Sequence, residues 1–210
     1  AKLVKAPEYV ETVAGIESVK RAILRTTAGM DRLLEAEQLR HGSANLDIHT
    51  VDLSQLLLEV SQQWQYEAQL KGLELRVEVP DGAKVSSDER LLTLVLQNLL
   101  GNAVKYSSTG AINISAGNTS DSGVAVWIFS ISDQGPGIPL ESLTKLFEAF
   151  KRGDTYGKPG VGLGLSIATH AAKLLGGELR VESKVGVGST FQLVLPTRNS
   201  SPVWAVPDTA

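Results

Sequence analysis

Apolar residues recur along this chain at two spacings, roughly every three to four residues and every second residue, and each spacing predicts a different element. Tyr9, Ile16, Ile23 and Met30 recur every seven residues, with Val19 and Leu33 three residues beyond two of them. Pro7 suits a first helical position and Gly42 a C-terminal cap, so residues 7–41 read as one long helix. Thr12 and Thr26 weaken the seam at its companion positions. Packing against other helices in an intermolecular bundle and packing inside a globule both fit the stripe.

Asp52 can cap a second helix that places Leu53, Leu56, Leu57, Val60 and Trp64 on one face and stops at Gly72. Leu73–Val79 alternates apolar and polar residues, as a half-buried strand does. Ser86 followed by Glu89 forms a capping-box pattern, which predicts a third helix running to about Tyr106. Strands follow over Ala111–Ala116 and over Val124–Ser132, the latter almost continuously apolar. A helix over Ser166–Leu175 ends at Gly176-Gly177, and strands over Leu179–Glu182 and Thr190–Leu195 complete the series. From Asp52 onward the order is helix, strand, helix, strand, strand, helix, strand, strand. It predicts an α+β fold, with a mixed or antiparallel sheet covered by helices on one face. Arg198–Ala210 shows no periodicity and reads as a tail or linker.

Composition removes several classes of function. Among 210 residues there is no cysteine, which excludes disulfides, thiolate metal sites and thiol nucleophiles. The three histidines, His41, His49 and His170, are too scattered for a His-rich metal site. A net charge of −3 gives no electrostatic case for nucleic acid. No apolar run approaches the ~18 residues needed to span a bilayer, and no signal-peptide pattern opens the chain. A soluble cytoplasmic domain is expected. Glycine is uneven: five of the 20 precede residue 101, whereas eleven lie between Gly135 and Gly188. Backbone-dominated loops are therefore expected in the second half.

Four segments could carry chemistry. On the third helix, Asn98, Asn102 and Lys105 fall within about 60° of one another. Asparagine is a mediocre helix former, so two of them in mid-helix suggest a role beyond the helix. Their amide oxygens could face a hard cation such as Mg2+, with Lys105 meeting the phosphates it carries; a plain polar edge is the alternative. Asp133-Gln134-Gly135-Pro136-Gly137-Ile138 follows the apolar strand. Asp133 could accept a hydrogen bond from an exocyclic amine, or could make only an Asx turn. Phe147 and Phe150 could pin one end of a loop that carries Lys151, Arg152 and Lys158. Five glycines from Gly153 to Gly164 then lead into a helix whose amides could line an anion. The loop is neither a Walker A motif nor a dinucleotide fingerprint, because no Gly-Lys-Ser/Thr occurs and no strand leads into Gly160. Gly186-Val187-Gly188-Ser189-Thr190-Phe191 alone needs no role beyond a hairpin turn.

In this order, the segments together resemble the ATP-binding domain of two-component sensor histidine kinases, within the GHKL superfamily. The resemblance covers about residues 51–196. It consists of an N box (Asn98, Asn102, Lys105, Tyr106), a G1 box (Asp133, Gly135, Gly137) and an F box (Phe147, Phe150). A G2 box (Gly160, Gly162, Leu163, Gly164, Leu165) and a G3 box (Gly186, Gly188, Thr190) complete it. It implies a two-layer α/β sandwich with a mixed sheet, preceded by the long N-terminal helix, with MgATP between the N-box helix and a lid. The implied roles are Asn102 and Asn98 on Mg2+, Lys105 on the phosphates and Tyr106 near the sugar or base. Asp133 would hold the adenine amino group with Thr190 in support through water, and Arg152 would meet the γ-phosphate. Ile138, Val161 and the glycines would line the nucleotide. Catalytic roles fall to Asn98, Lys105 and Arg152.

Hydrolysing members resembling gyrase carry a glutamate base where this chain has Asn98, and an amide cannot accept that proton. The resemblance therefore implies transfer to a separate histidine and then to the aspartate of a response-regulator receiver domain. His41, His49 and His170 lack the neighbours of the family's phosphoacceptor, which is expected upstream of Ala1. On this reading residues 1–50 finish a dimerisation hairpin that forms a homodimer in the full-length protein, residues 51–197 bind ATP, and residues 198–210 are a tail. A GHKL-type serine kinase, or an ATP-gated module without a histidine acceptor, is the alternative. The parent chain could still be membrane-anchored.

Overall fold

The computed structural model describes residues 46–121, 123–143, 146 and 164–197. The helix expected over 7–41, the segment Phe147–Leu163 and the tail 198–210 lie outside them. The elements are β1 (His49–Asp52), α1 (Leu53–Leu70), β2 (Leu73–Glu78), β3 (Lys84–Ser87), α2 (Glu89–Tyr106), β4 (Gly110–Asp121) and β5 (Val124–Asp133). They continue with α3 (Leu140–Leu143), α4 (Gly164–Leu174), β6 (Glu178–Lys184) and β7 (Gly188–Pro196).

Five strands form one sheet in the order β2-β4-β5-β7-β6. β2 and β4 run parallel and the other neighbours antiparallel, so the sheet is mixed. The parallel pair needs a crossover, which α2 supplies. Alternation sends Ile112, Ile114, Phe129, Ile131, Leu193 and Leu195 to one face, where they meet Leu57, Leu92, Leu96, Leu99 and Ile167 of the helices. This is the expected two-layer α+β sandwich.

The opposite face is polar at one end and apolar at the other. Val126 and Val194 lie on it, outside the helix-side core, yet each is 4% exposed. The β4–β5 hairpin lies at this end of the sheet. Asp121 at its tip pairs with Arg180 of β6 at 2.6 Å, reaching across the positions of β5 and β7. The hairpin must therefore curl over this face.

Two local expectations change. β1 and β3 form a separate antiparallel ribbon, pairing His49 with Ser87 and Asp52 with Lys84. Ser86 is thus a strand residue and not a helix cap. Asp88 caps α2 instead, its Oδ1 accepting from the N–H groups of Arg90 and Leu91. Asp88 Oδ2 also accepts from the Asp47 N–H at 3.0 Å, and Leu46 packs on the core. The folded unit accordingly includes residues upstream of 51. Asp52 does cap α1, accepting from Ser54 and Gln55.

Candidate functional site

Two of the predicted segments meet α2 in its C-terminal half: the start of α4 approaches Asn98, and the turn after Asp133 approaches Tyr106. Asn98, on the third turn of α2, donates its Nδ2 to the Leu94 carbonyl at 2.8 Å. That bond fixes which end of the amide is free. Its Oδ1 points to the start of α4, 2.9 Å from where Gly164 would carry a Cβ. Asn102 and Lys105 follow on the same stripe. The Lys105 ammonium lies 4.8 Å from the centre of the Tyr106 ring, a cation–π arrangement.

Asp133 ends β5 on the helix side and is 9% exposed. Its Oδ1 accepts from the Gly135 N–H at 2.8 Å. Burial pushes its carboxyl above the usual aspartate range, tempered by the backbone N–H groups of Gly135 and Ser189. Such a carboxylate is short of donors, which suits it to accept from a ligand amine. The turn after it is packed too tightly for side chains. A Cβ on Gly137 would collide with the Lys184 carbonyl, and one on Gly188 with the carbonyl of Asp133. Both glycines also have positive φ, 71° and 139°. Gly135 lies against Tyr106: its Cβ position is 3.6 Å from the Tyr106 carbonyl oxygen. Ser107, buried beside the same turn, has its Oγ 3.4 Å from that Cβ position.

Ser183 locks the two glycine turns together. Its Oγ accepts from the Ile138 N–H at 2.8 Å and lies within hydrogen-bond range of the Gly188 carbonyl and Ser189 Oγ. The Pro136 carbonyl accepts from the Gly186 N–H at 2.8 Å. Sequence reasoning singles out neither Ser183 nor its links, because its partners lie on two other segments.

Thr190 lines a hollow together with Asp133 but turns its hydroxyl to the other face of the sheet. Its Oγ1 hydrogen-bonds Ser132 Oγ at 2.9 Å, and Ser132 and Asp133, as strand neighbours, point to opposite faces. The residue paired with Asp133 across the ladder is Ser189, itself 7% exposed. The hollow, of about 360 Å3 at these strand ends, is lined by both faces, including Asp133, Glu182, Lys184 and Thr190. Its lining includes none of Asn98, Asn102 and Lys105. Leu165 packs on the core at the start of α4. Phe150, Arg152, Gly160, Val161, Gly162 and Leu163 lie outside the described residues.

Asp133 thus offers a buried acceptor beside a tightly packed glycine turn, with the Lys105 ammonium at the end of α2 and the first turn of α4 facing Asn98. Among the described residues no group of three or more His, Asp or Glu could hold a metal ion. A cation here would take at most amide oxygens from the protein and the rest of its ligands from phosphates and water, as Mg2+ commonly does.

Residues 87–199 match the family model described as histidine kinase-, DNA gyrase B-, and HSP90-like ATPase. The chain belongs to this family, as the ATP-binding catalytic domain of a sensor histidine kinase. It is 32% identical over 167 residues to the sensor-like histidine kinase SenX3 of Mycobacterium tuberculosis, covering 78% of this chain and 40% of SenX3. It is 32% identical over 169 residues to the aerobic respiration control sensor protein ArcB of Escherichia coli, covering 78% of this chain and 21% of ArcB. Among solved structures, full-length ShkA in complex with AMPPNP superposes with a TM-score of 0.78 at 27% identity, covering 89% of this chain and 39% of that one. The mycobacterial sensor histidine kinase MprB gives 0.60 at 28%, covering 71% and 98%. The chain thus spans two fifths or less of the length of SenX3 and ArcB. No helix among the described residues is long and apolar enough to cross a membrane.

Proposed function

We propose that this domain binds MgATP and presents its γ-phosphoryl group to a histidine on a helical hairpin encoded upstream of Ala1, within a homodimer. The phosphoryl group then passes to an aspartate on a response-regulator receiver domain. Asn98 is the observation that carries this reading. The position facing the start of α4 holds an amide, and an amide cannot take a proton from water. With no base there, the domain's contribution is orientation and charge neutralisation.

Each residue has a task in that scheme. Asp133 accepts from the adenine amino group, and Ser189, beside it, takes the supporting position that the family resemblance gave to Thr190. Gly135, Gly137 and Ile138 form the turn beside the base, its shape set by the close packing of Gly137 on Lys184. Asn98 and Asn102 turn oxygens to the cation, while Lys105 and the first amides of α4 meet phosphate oxygens. When bound, MgATP supplies the phosphoryl group and the cation that offsets its charge. In the transfer itself, an imidazole nitrogen forms a bond to the γ-phosphorus as the bond to the ADP oxygen breaks, and the imidazole gives up its proton.

The test is calorimetric titration with ATP, with and without Mg2+, followed by incubation with radiolabelled ATP. Binding that requires Mg2+, no sustained phosphate release and no acid-labile label on His41, His49 or His170 are expected. Sustained phosphate release that disappears in Asn98→Ala would overturn the reading in favour of an ATPase. Acid-stable phosphate on a partner protein would favour a serine kinase.

A further inference from the structure

The last turn of α2 is held from outside by a residue that belongs to none of the motifs. Lys71, the C-cap of α1, directs its ammonium to the carbonyl oxygens of Val104 at 2.6 Å and Lys105 at 2.9 Å. A helix leaves its last four carbonyls without intrahelical donors. At the end of α2 the Ser107 N–H serves Ala103, and Lys71 serves the next two residues. It also sets a positive charge at the negative end of the helix dipole. This turn carries Lys105, Tyr106 and the carbonyl that abuts Gly135.

The geometry points to Lys71 as a positioning residue for the phosphate-binding lysine of the site, acting through the backbone of Lys105. This inference rests on the ATP-site reading given above. Without the ammonium, two carbonyls lose their donor and the turn frays. Lys105 and Tyr106 then lose a fixed origin, whereas Asn98 and Asn102 sit on earlier turns and Asp133 sits on β5. The damage should therefore fall mainly on phosphate recognition, with a smaller loss at the sugar or base through Tyr106.

Two substitutions in the whole chain test this, with near-ultraviolet circular dichroism to confirm folding. Lys71→Met keeps most of the stem and removes the donors; Lys71→Arg keeps charge and donors. In the Met variant MgATP should bind about tenfold more weakly, the scale of one weakened charge-assisted hydrogen bond, while adenosine stays within about twofold of wild type. Amide exchange at Lys105, Tyr106 and Ser107 in the nucleotide-free protein should accelerate. The Arg variant should restore both. Unchanged MgATP affinity in a folded Met variant overturns the inference, as does equal weakening of MgATP and adenosine. If Lys71→Met fails to fold, Lys71→Gln, which keeps a neutral donor, gives the same comparison. A wild-type chain that binds no MgATP would defeat the site reading. Amide exchange would still decide whether Lys71 holds the turn: faster exchange confined to those three residues supports it, and unchanged exchange sinks it.

Discussion

Asn98 and Gly164 meet where α2 crosses the start of α4, the amide oxygen of Asn98 lying 2.9 Å from the position a Cβ at 164 would take. The other end of the amide is tied to the Leu94 carbonyl. A side chain at 164 can therefore be accommodated only if Asn98 turns away and gives up that bond. The glycine keeps an oxygen aimed at the helix start, where phosphates are expected.

Gly164→Ala should for this reason separate binding from stability. Alanine favours the helix by up to about 1 kcal/mol, so the melting temperature should hold or rise. MgATP affinity should fall by about tenfold, one charge-assisted contact's worth. Calorimetry beside thermal unfolding checks both; retained affinity would mean the Asn98 oxygen is not used.

Asp133 gives a prediction with a pH sign. Its folded pKa is raised by burial, so its ionised form opposes folding. Its contribution is fully present below the unfolded value near 3.8 and is lost as pH rises through the folded one. Asp133→Asn removes that dependence. The variant's stability relative to wild type, read from urea unfolding, should improve as pH rises from about 3.8 toward neutrality. Its MgATP affinity should drop by about 10- to 100-fold at neutral pH. A stability gap that ignores pH would show that the carboxyl is not desolvated in the folded chain.

Gly101→Ala tests the contact between α1 and α2. The new Cβ would lie 2.6 Å from Cζ2 and 2.9 Å from Cη2 of Trp64, a ring packed on the core. Overpacking of this kind costs about 1–3 kcal/mol, which should outweigh the gain in helix propensity. Denaturant unfolding should show net loss and Trp64 emission should shift. A stabilised variant would mean the ring moves aside freely.

His49 joins the β1–β3 ribbon to the start of α2 through Glu89, with Nε2 to Oε2 at 3.1 Å. The Glu89 contact raises its pKa above 6.5. The stability this pair adds is complete below about 6.5 and fades as pH rises through the folded value. NMR titration should place the His49 midpoint above 6.5 and Glu89→Gln should bring it down. Equal midpoints would refute the link. The pair is exposed, so its effect on stability should be slight.

Long elements with strong periodicity are legible in the sequence alone. The ends of α1 follow from Asp52 and Gly72, and β5 from its apolar run. Short elements are not, because β1 and β3 have four residues each and too few apolar positions to show a period. Ser86 and Glu89 fit a capping pattern, but Asp88, one residue before the helix, has the better-placed oxygen. The glycine motifs locate the site but do not say which face a side chain takes. β5 hides its parity because Val126 and Ile128 are apolar on the outer face. The motifs therefore suggest Thr190 beside Asp133, whereas the ladder puts Ser189 there. Lys71 and the Asp121–Arg180 pair bridge separations of 33 and 59 residues, which no local pattern encodes.

β5 has β4 as one neighbour, joined by a short hairpin, and β7 as the other, with Gln192 and Ser130 in contact across 62 residues of chain. At ribosomal rates of about 5–20 residues per second, the apolar run from Val124 waits on the order of 3–12 s for its second partner. During that wait it offers a bare edge of high β-propensity, the kind of segment on which chains coalesce. The yield of folded protein in a cell should therefore depend on how fast, and under what chaperone cover, the final strand is delivered.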